Sequence, residues 1–416
     1  MMNILEEIQN CPVEWRELGE ISHFYGGLTG KTKSDFENGN AKYVTYKNIF
    51  NNLQVELNLL ETVRVDENEK QNSINYGDVL ITGSSESKEE VGMSSVVTFI
   101  TDEPIYLNSF SFGIRFNEDV ELLPEFTKYL FRSFRLRKQI EKTASGVTRY
   151  NVSKVTFKKI KVPLLPLEIQ EKIVQILDKM TEYVTELTSE LTSRKKQYSF
   201  YRDKLLSFED EVYQVEWKTL GDIGKVSMCK RILKNQTSDD GEIPFYKIGT
   251  FGKVATSFIS RELFEEYKLR FSYPKLGDIL ISASGTIGRT VVFNGEDSYF
   301  QDSNIVWLEH DESQVLNRYL YYFYQMNPWK VSDGGTISRL YNRNIEKTTI
   351  PVPSLEIQSR IVQVLDNFDM VCNDLNIGLP KEIELRQKQY EYFREKLLTF
   401  VAEGEYTDST VQTRHH

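Results

Sequence analysis

The sequence is short of the residues that carry most catalytic and cross-linking chemistry. Three cysteines, Cys11, Cys229 and Cys372, occur in 416 residues, each far from the others. That excludes a disulfide scaffold and fits free thiols in a reducing compartment. Histidine occurs four times, twice at the C-terminus as His415 and His416, which leaves His23 and His310. Zinc sites, His–Cys pairs and a serine triad are disfavoured by that shortage. No apolar run approaches the roughly 18 residues that a membrane helix needs. The opening MMNILEEIQN has acids where a secretory signal has a basic and then an apolar segment, so a cytoplasmic location is expected. There is no phosphate loop, dinucleotide fingerprint or metal-ligand cluster. Asn327-Pro328-Trp329 comes near the Asn-Pro-Pro-aromatic motif of amino-methyltransferases, but the second proline and a preceding Gly-rich cofactor loop are missing. Positive charge is in deficit too: 51 Lys and Arg stand against 61 Asp and Glu, a net charge of −10. Taken alone, that total argues against a nucleic-acid binder.

What is there begins with ordinary folded composition, 40% hydrophobic and 27% charged, which excludes a disordered chain. Length suggests about three domains. The chain is also a duplication. Val13-Glu14-Trp15-Arg16 and Leu18-Gly19 recur as Val215-Glu216-Trp217-Lys218 and Leu220-Gly221, and Tyr46-Lys47 recurs as Tyr246-Lys247. Gly77-Asp78-Val79-Leu80-Ile81 recurs as Gly277-Asp278-Ile279-Leu280-Ile281. Residues 166–180 match 354–368 at 9 of 15 positions, and 194–208 match 386–400 at 9 of 15. The order predicted is a mixed segment 1–165, a helical one 166–211, a mixed one 212–353, a helical one 354–403 broken at 378–380, and a tail 404–416.

The mixed segments read as mainly β. Their strands are expected at Lys42–Tyr46, Val79–Thr82, Ser95–Ile100, Ile279–Ser282 and Thr290–Phe293. Helices are expected at Pro124–Glu141 and Val315–Gln325, each followed by a glycine loop (Gly146; Gly334-Gly335) and a short strand. In the first helical segment Ile169, Ile173, Ile176, Met180, Tyr183, Leu187, Leu191, Arg194, Tyr198, Tyr201, Leu205 and Phe208, all but Arg194 apolar or aromatic, form a seam at spacings of three and four. The second repeats it at Ile357, Ile361, Val364, Phe368, Val371 and Leu375, then at Ile383, Tyr390, Phe393, Leu397 and Phe400 beyond Gly378-Leu379-Pro380. A helix from Leu167 to Phe208 spans about 63 Å. It cannot bury its seam alone, so the two are expected to pair antiparallel as a coiled coil. The fold class is α+β, two duplicated mixed domains each followed by a long amphipathic helix.

Charge is unevenly placed. Between Lys128 and Lys161 eleven bases face one acid, Glu141, a local excess that suits phosphate contact. Aromatics and small hydroxyl residues sit among the bases and in the loops, which suits base-edge contacts. Candidate DNA-contacting residues in the first domain are Lys31, Lys33, Tyr46, Lys47, Ser84, Lys88, Arg149 and Tyr150. In the second they are Lys230, Arg231, Tyr246, Lys247, Ser284, Arg289, Arg339 and Tyr341. The helices repeat polar residues as well as the seam. Lys196, Gln197, Arg202 and Lys204 recur as Lys388, Gln389, Arg394 and Lys396. Packing does not require that identity, so both sets are expected to bind the same kind of partner. An alternative is a metal-dependent nuclease using Asp78, Glu86 and Lys88, but the second copy has Ser284-Gly285-Thr286 where the acid–x–Lys would stand. A coiled-coil protein scaffold with no DNA role is the other.

With its two IVQ(I/V)LD helix starts, two Lys-Gln-Tyr…Arg…Lys-Leu-Leu blocks, the Gly-Leu-Pro interruption and the paired Val-Glu-Trp…Leu-Gly openings, the chain resembles the specificity subunit of type I restriction–modification systems, in the subgroup with long helical repeats. The resemblance covers nearly the whole chain. It implies a subunit that is not itself an enzyme. Each mixed domain would read one half of a bipartite double-stranded DNA target, and the coiled coil would fix the spacing. Two methyltransferase subunits and two restriction–motor subunits would dock on it, bringing S-adenosylmethionine, ATP and Mg²⁺. No cofactor or metal is expected in this chain. Two major-groove readers on one face need about 34 Å between half-sites.

Overall fold

The structure, a computed structural model, describes residues 2–208, 215–330 and 339–399. The Gly334-Gly335 loop, the seam position Phe400, the tail 404–416, the terminal histidines and the 211–212 boundary lie outside the described residues. Among the described residues no helix is long and apolar enough to cross a membrane. The chain divides into two compact units, Met1–Glu186 with Ile383–His416, and Leu187–Glu382.

In each unit one antiparallel strand pair brackets the mixed domain. In the first unit Glu14–Glu17 pairs with Lys161–Leu164, and in the second Glu216–Thr219 pairs with Thr349–Val352. The repeated Leu-Gly is the start of a one-turn helix after each opening strand, Leu18–Ile21 and Leu220–Ile223. Leu18 and Leu220 are fully buried there. Gly19 donates its N–H to the Lys158 carbonyl at 2.8 Å. A Cβ on Gly19 would lie 3.2 Å from that carbonyl oxygen, and one on Gly221 the same distance from the Glu346 oxygen. Close backbone approach therefore accounts for the repeated glycine.

The units share a sheet topology that their sequences hide. In the first, four antiparallel strands run in the order Ser22–Gly26, Ser111–Phe116, Val79–Thr82, Ser94–Val96. In the second the order is Lys225–Ser227, Ile305–Glu309, Ile279–Ser282, Thr290–Val292. Beside each lies a three-stranded sheet. Its centre, Ala41–Val44 or Ile243–Tyr246, has one antiparallel neighbour and one parallel one, Ile105–Leu107 or Tyr299–Phe300. A third sheet in the first unit joins Ala144–Ser145, Tyr150–Val152 and Ser84–Ser85. The central strands Val79–Thr82 and Ile279–Ser282 are buried along their whole length, consistent with their unbroken apolar runs.

Four local expectations change, the first being that the strand predicted over Ser95–Ile100 ends at Val96. The helix predicted over Pro124–Glu141 is two helices, Pro124–Leu130 and Phe134–Lys142, because Ser133 turns extended and its Oγ accepts from Leu136 N as an N-cap. The strand predicted to Tyr46 ends at Val44, since Thr45 caps a helix that Tyr46 begins. In the second long helix the break occupies 374–378, between Leu355–Asn373 and Leu379–Leu397. Pro380 sits in the first turn of the later segment, where its missing N–H costs nothing.

The first long helix is continuous over the 41 residues Leu167–Ser207. Its early part belongs to the first unit, where Ile169, Ile173 and Leu177 share a core with Tyr390, Leu397 and Leu398. Arg386 lies over the Tyr183 ring, so the helix segments run antiparallel. In the second unit Tyr198 and Tyr201 pack on Phe368, and Cys372 feels the charges of Lys195 and Arg194, again an antiparallel pairing.

A buried glutamine ties each helix to its domain. Gln170 Oε1 accepts from Leu123 N, and its Nε2 donates to the Glu121 and Leu165 carbonyls. Gln358 repeats this on Leu316 N and on the Gln314 and Pro353 carbonyls. Both glutamines are fully buried.

Candidate nucleic-acid interface

In the first unit the loops after Val79–Thr82 and around the helix Tyr46–Asn51 surround a cleft of about 640 Å³. Tyr46, Lys47, Ser84 and Arg149 line it together, with Phe50, Glu86, Glu90 and Phe110. Tyr46 stacks on Phe50 at 5.9 Å and donates its hydroxyl hydrogen to the Ser84 carbonyl at 2.8 Å. Arg149 donates to Ser84 Oγ from Nε at 3.1 Å and from Nη2 at 2.9 Å. Lys47 and Lys88 are exposed. Tyr150 pairs with Ser85 in the small sheet beside the cleft.

Two candidates lie elsewhere. The side chain of Lys31 is buried in an ion pair with Glu69, and that bond holds the Glu69 carboxyl below its ordinary range. Lys33 is exposed on the short helix Lys33–Phe36, whose Phe36 packs on Tyr43.

In the second unit Ser284 and Arg339 meet around the turn that precedes Ile305. Ser284 Oγ donates to Asn304 Oδ1 at 2.8 Å, and Arg339 Nη2 donates to the Ser303 carbonyl at 2.8 Å. Tyr341 lies under the Arg339 guanidinium at 5.9 Å. Arg289 is committed to the Phe251 carbonyl and Lys247 to Ser257 Oγ. Tyr246 stacks on Phe300 at 5.8 Å. Lys230, over the Phe271 ring, and Arg231 are exposed.

Strand register corrects one equivalence. Val44 pairs with Leu107 and Tyr246 with Phe300 in the matching parallel ladders. Tyr246 therefore corresponds to Val44, and the recurrence of Tyr-Lys at 46 and 246 is a coincidence of spelling. By the same reasoning Arg339 corresponds to Asn151 and not to Arg149, since Val152 N donates to the Gly83 carbonyl as Leu340 N does to that of Ala283.

The basic stretch 128–161 is not one exposed patch. Arg132 is inside, donating to the carbonyls of Ser94, Ile49 and Phe50. Burial pushes it down to about 10. Arg137 donates to the Gly92, Glu89 and Val91 carbonyls, and Lys128 pairs with Asp178. Lys142, Arg149, Lys154, Lys158, Lys159 and Lys161 remain exposed.

The nuclease alternative loses its first carboxylate. Asp78 is fully buried, gripped by Arg115 from Nε at 2.8 Å and Nη2 at 2.6 Å, and it also accepts from Tyr25 and from Asn75 N. Glu86 is exposed beyond the far end of the strand that Asp78 precedes. Among the described residues no group of three or more His, Cys, Asp or Glu could hold a metal.

On the helices, Lys196, Gln197 and Lys204 are exposed, as are Lys388, Gln389 and Lys396. Arg202 pairs with Asp203 and lies over Tyr198, and Arg394 pairs with Glu395 and lies over Tyr390. Beside them Phe200 and Tyr392 are exposed rings, each edge-on to its neighbour at 5.4 Å. The repeat is thus one of geometry as well as of letters.

Comparison with known proteins gives a consistent picture. The family described as "Type I restriction modification DNA specificity domain" matches residues 12–194 and 214–385. A putative type I restriction enzyme specificity subunit of Haemophilus influenzae is 53% identical over 264 residues, 62% of this chain and 68% of that one. The specificity subunit of a type I restriction enzyme of Escherichia coli is 35% identical over 267 residues, 60% of this chain and 65% of that one. A solved chain from work on complex assembly in the type I restriction–modification system superposes with a TM-score of 0.61 at 17% identity, covering 94% of this chain and 98% of that one. At that identity the likeness speaks to the fold alone.

Proposed function

We propose, from the premise that the chain belongs to the type I restriction–modification DNA specificity family, that its two units each read one half of a bipartite duplex target. The chain recognises DNA sequence and is not itself an enzyme. The observation that carries the bipartite reading is the duplicated topology. Both units present a polar, cation-bearing loop cluster at the same point, just after the central buried strand. In the first, Lys47 and Arg149 supply charge, while Tyr46 and Ser84 are fixed by their own hydrogen bonds. The repeated Lys-Gln…Arg…Lys sets would each dock one methyltransferase subunit, with restriction–motor subunits joining that assembly. S-adenosylmethionine, ATP and Mg²⁺ would be held by those partners.

The test is retention of a duplex pool by the chain bound to its methyltransferase, followed over a salt gradient. Each phosphate contact contributes about 0.9 to the slope of log affinity on log salt. Lys47→Glu with Arg149→Glu should weaken retention at least tenfold and flatten the slope by about 2. An unchanged affinity and slope would remove the first-unit cleft from the interface. A wild-type complex that never retains duplex would favour a protein scaffold with no DNA role.

A further inference from the structure

Phe110 is 67% exposed, although the chain has apolar cores in both units where such a ring could be buried. It lines the cleft with Tyr46, Phe50, Glu86, Glu90 and Arg149. Its backbone is fixed: Phe110 N donates to Asn108 Oδ1 at 3.0 Å, and its carbonyl accepts from Gly83 N at 2.8 Å. Asn108 is itself buried and anchored to the Val44 carbonyl. An exposed aromatic ring held on a pinned turn is presented outward, not left over.

The second unit holds a different kind of residue at this position. There Ala283 N donates to the Asn304 carbonyl, the same bond in the same register. Phe110 and Asn304 are therefore structural equivalents. One position thus carries an apolar ring in one unit and an amide in the other, while the strands beneath keep their order. That is how a residue that chooses among ligands differs between two copies, since a packing residue would stay apolar in both.

The cleft's charge then narrows the ligand. Lys47 and Arg149 line the cleft together with Glu86 and Glu90; the two cations suit phosphates, and the two carboxylates accept from exocyclic amino groups on base edges. The ring thus faces base edges. In the major groove the apolar feature of a base edge is the thymine 5-methyl group. We infer that Phe110 is a specificity-determining residue that reads the 5-methyl group of a thymine in the half-site of the first unit. The inference rests on the DNA-reading function proposed above.

Uracil lacks that methyl and keeps every other edge group, so it isolates the contact. In the complex with the methyltransferase, each thymine of the half-site assigned to residues 1–165 is replaced in turn by uracil. At one position wild type should lose about fourfold in affinity, the worth of one buried methyl-sized group. Phe110→Ala should bind the thymine duplex about fourfold more weakly and ignore uracil at that position, with an unchanged unfolding midpoint because the ring is exposed. Phe110→Asn should shift base preference at that position alone. Indifference of wild type to every uracil, a half-site without thymine, or discrimination that survives in Phe110→Ala would each overturn the inference while leaving the DNA-reading function standing. Loss of all sequence preference in wild type would overturn both.

Discussion

Replacing Arg132 by Ala should destabilise the first unit by about 4 kcal/mol, because it strips a buried charge from the carbonyls that surround it and leaves them without donors. The guanidinium donates to Ser94 at 2.9 Å from Nε and, from Nη2, to Ser94, Ile49 and Phe50 at 2.6, 2.9 and 3.0 Å. It thereby joins the strand Ser94–Val96 to the helix Tyr46–Asn51. Lowered to about 10 by burial, it is still charged at neutral pH. Arg132→Lys should not rescue, since an ammonium cannot span acceptors arranged for a planar fork. At about 2–4 °C per kcal/mol the unfolding midpoint should fall by roughly 10 °C. The measurement is thermal unfolding beside the DNA salt slope. A midpoint that holds while the slope flattens would show Arg132 to be a phosphate contact after all.

Gln170→Ala should cost about 3 kcal/mol, and Gln358→Ala about the same in the other unit. Each removes three buried hydrogen bonds to backbone and strands an N–H and two carbonyls, at about 1–3 kcal/mol for each orphaned group less what water regains. Gln170→Glu tests the chemistry further, because a carboxylate can still accept from Leu123 N but cannot donate to the Glu121 and Leu165 carbonyls. Calorimetry should show each variant lowering the transition of its own unit. Equal melting of all variants and wild type would mean that the helix starts are held by their apolar seam alone.

The helices were the most legible part of the chain. A seam at spacings of three and four is a strong periodic signal, and blocks with 9 of 15 positions identical reveal a duplication directly. The mixed units were less legible, because a sheet's order depends on pairings far apart in sequence. The four-stranded order repeats in both units, yet matching it needs the ladders, as Tyr246 demonstrates: it matches Tyr46 in letters and Val44 in register. The stretch 128–161 misled for a related reason. Sequence counts charge but not direction, and Arg132 and Arg137 point inward to carbonyls. Gln170 and Gln358 carry a sequence signal only as part of the Leu-Glu-Ile-Gln repeated at each helix start, where nothing separates the buried glutamine from the glutamate beside it. Phe110 carries no such signal, since in sequence an exposed phenylalanine looks like a buried one. The net charge of −10 is a poor guide, since a total does not say where cations sit, and Lys47 and Arg149 line one cleft of the first unit.

The most direct test of the central claim is to map methylated adenines in DNA from cells that express this chain with its cognate methyltransferase, before and after residues 1–165 are exchanged for those of a relative. Two units that each read a half-site predict a bipartite motif of which the exchange changes one half and leaves the other half and the spacing intact. A continuous motif, or an exchange that alters both halves together, would contradict it.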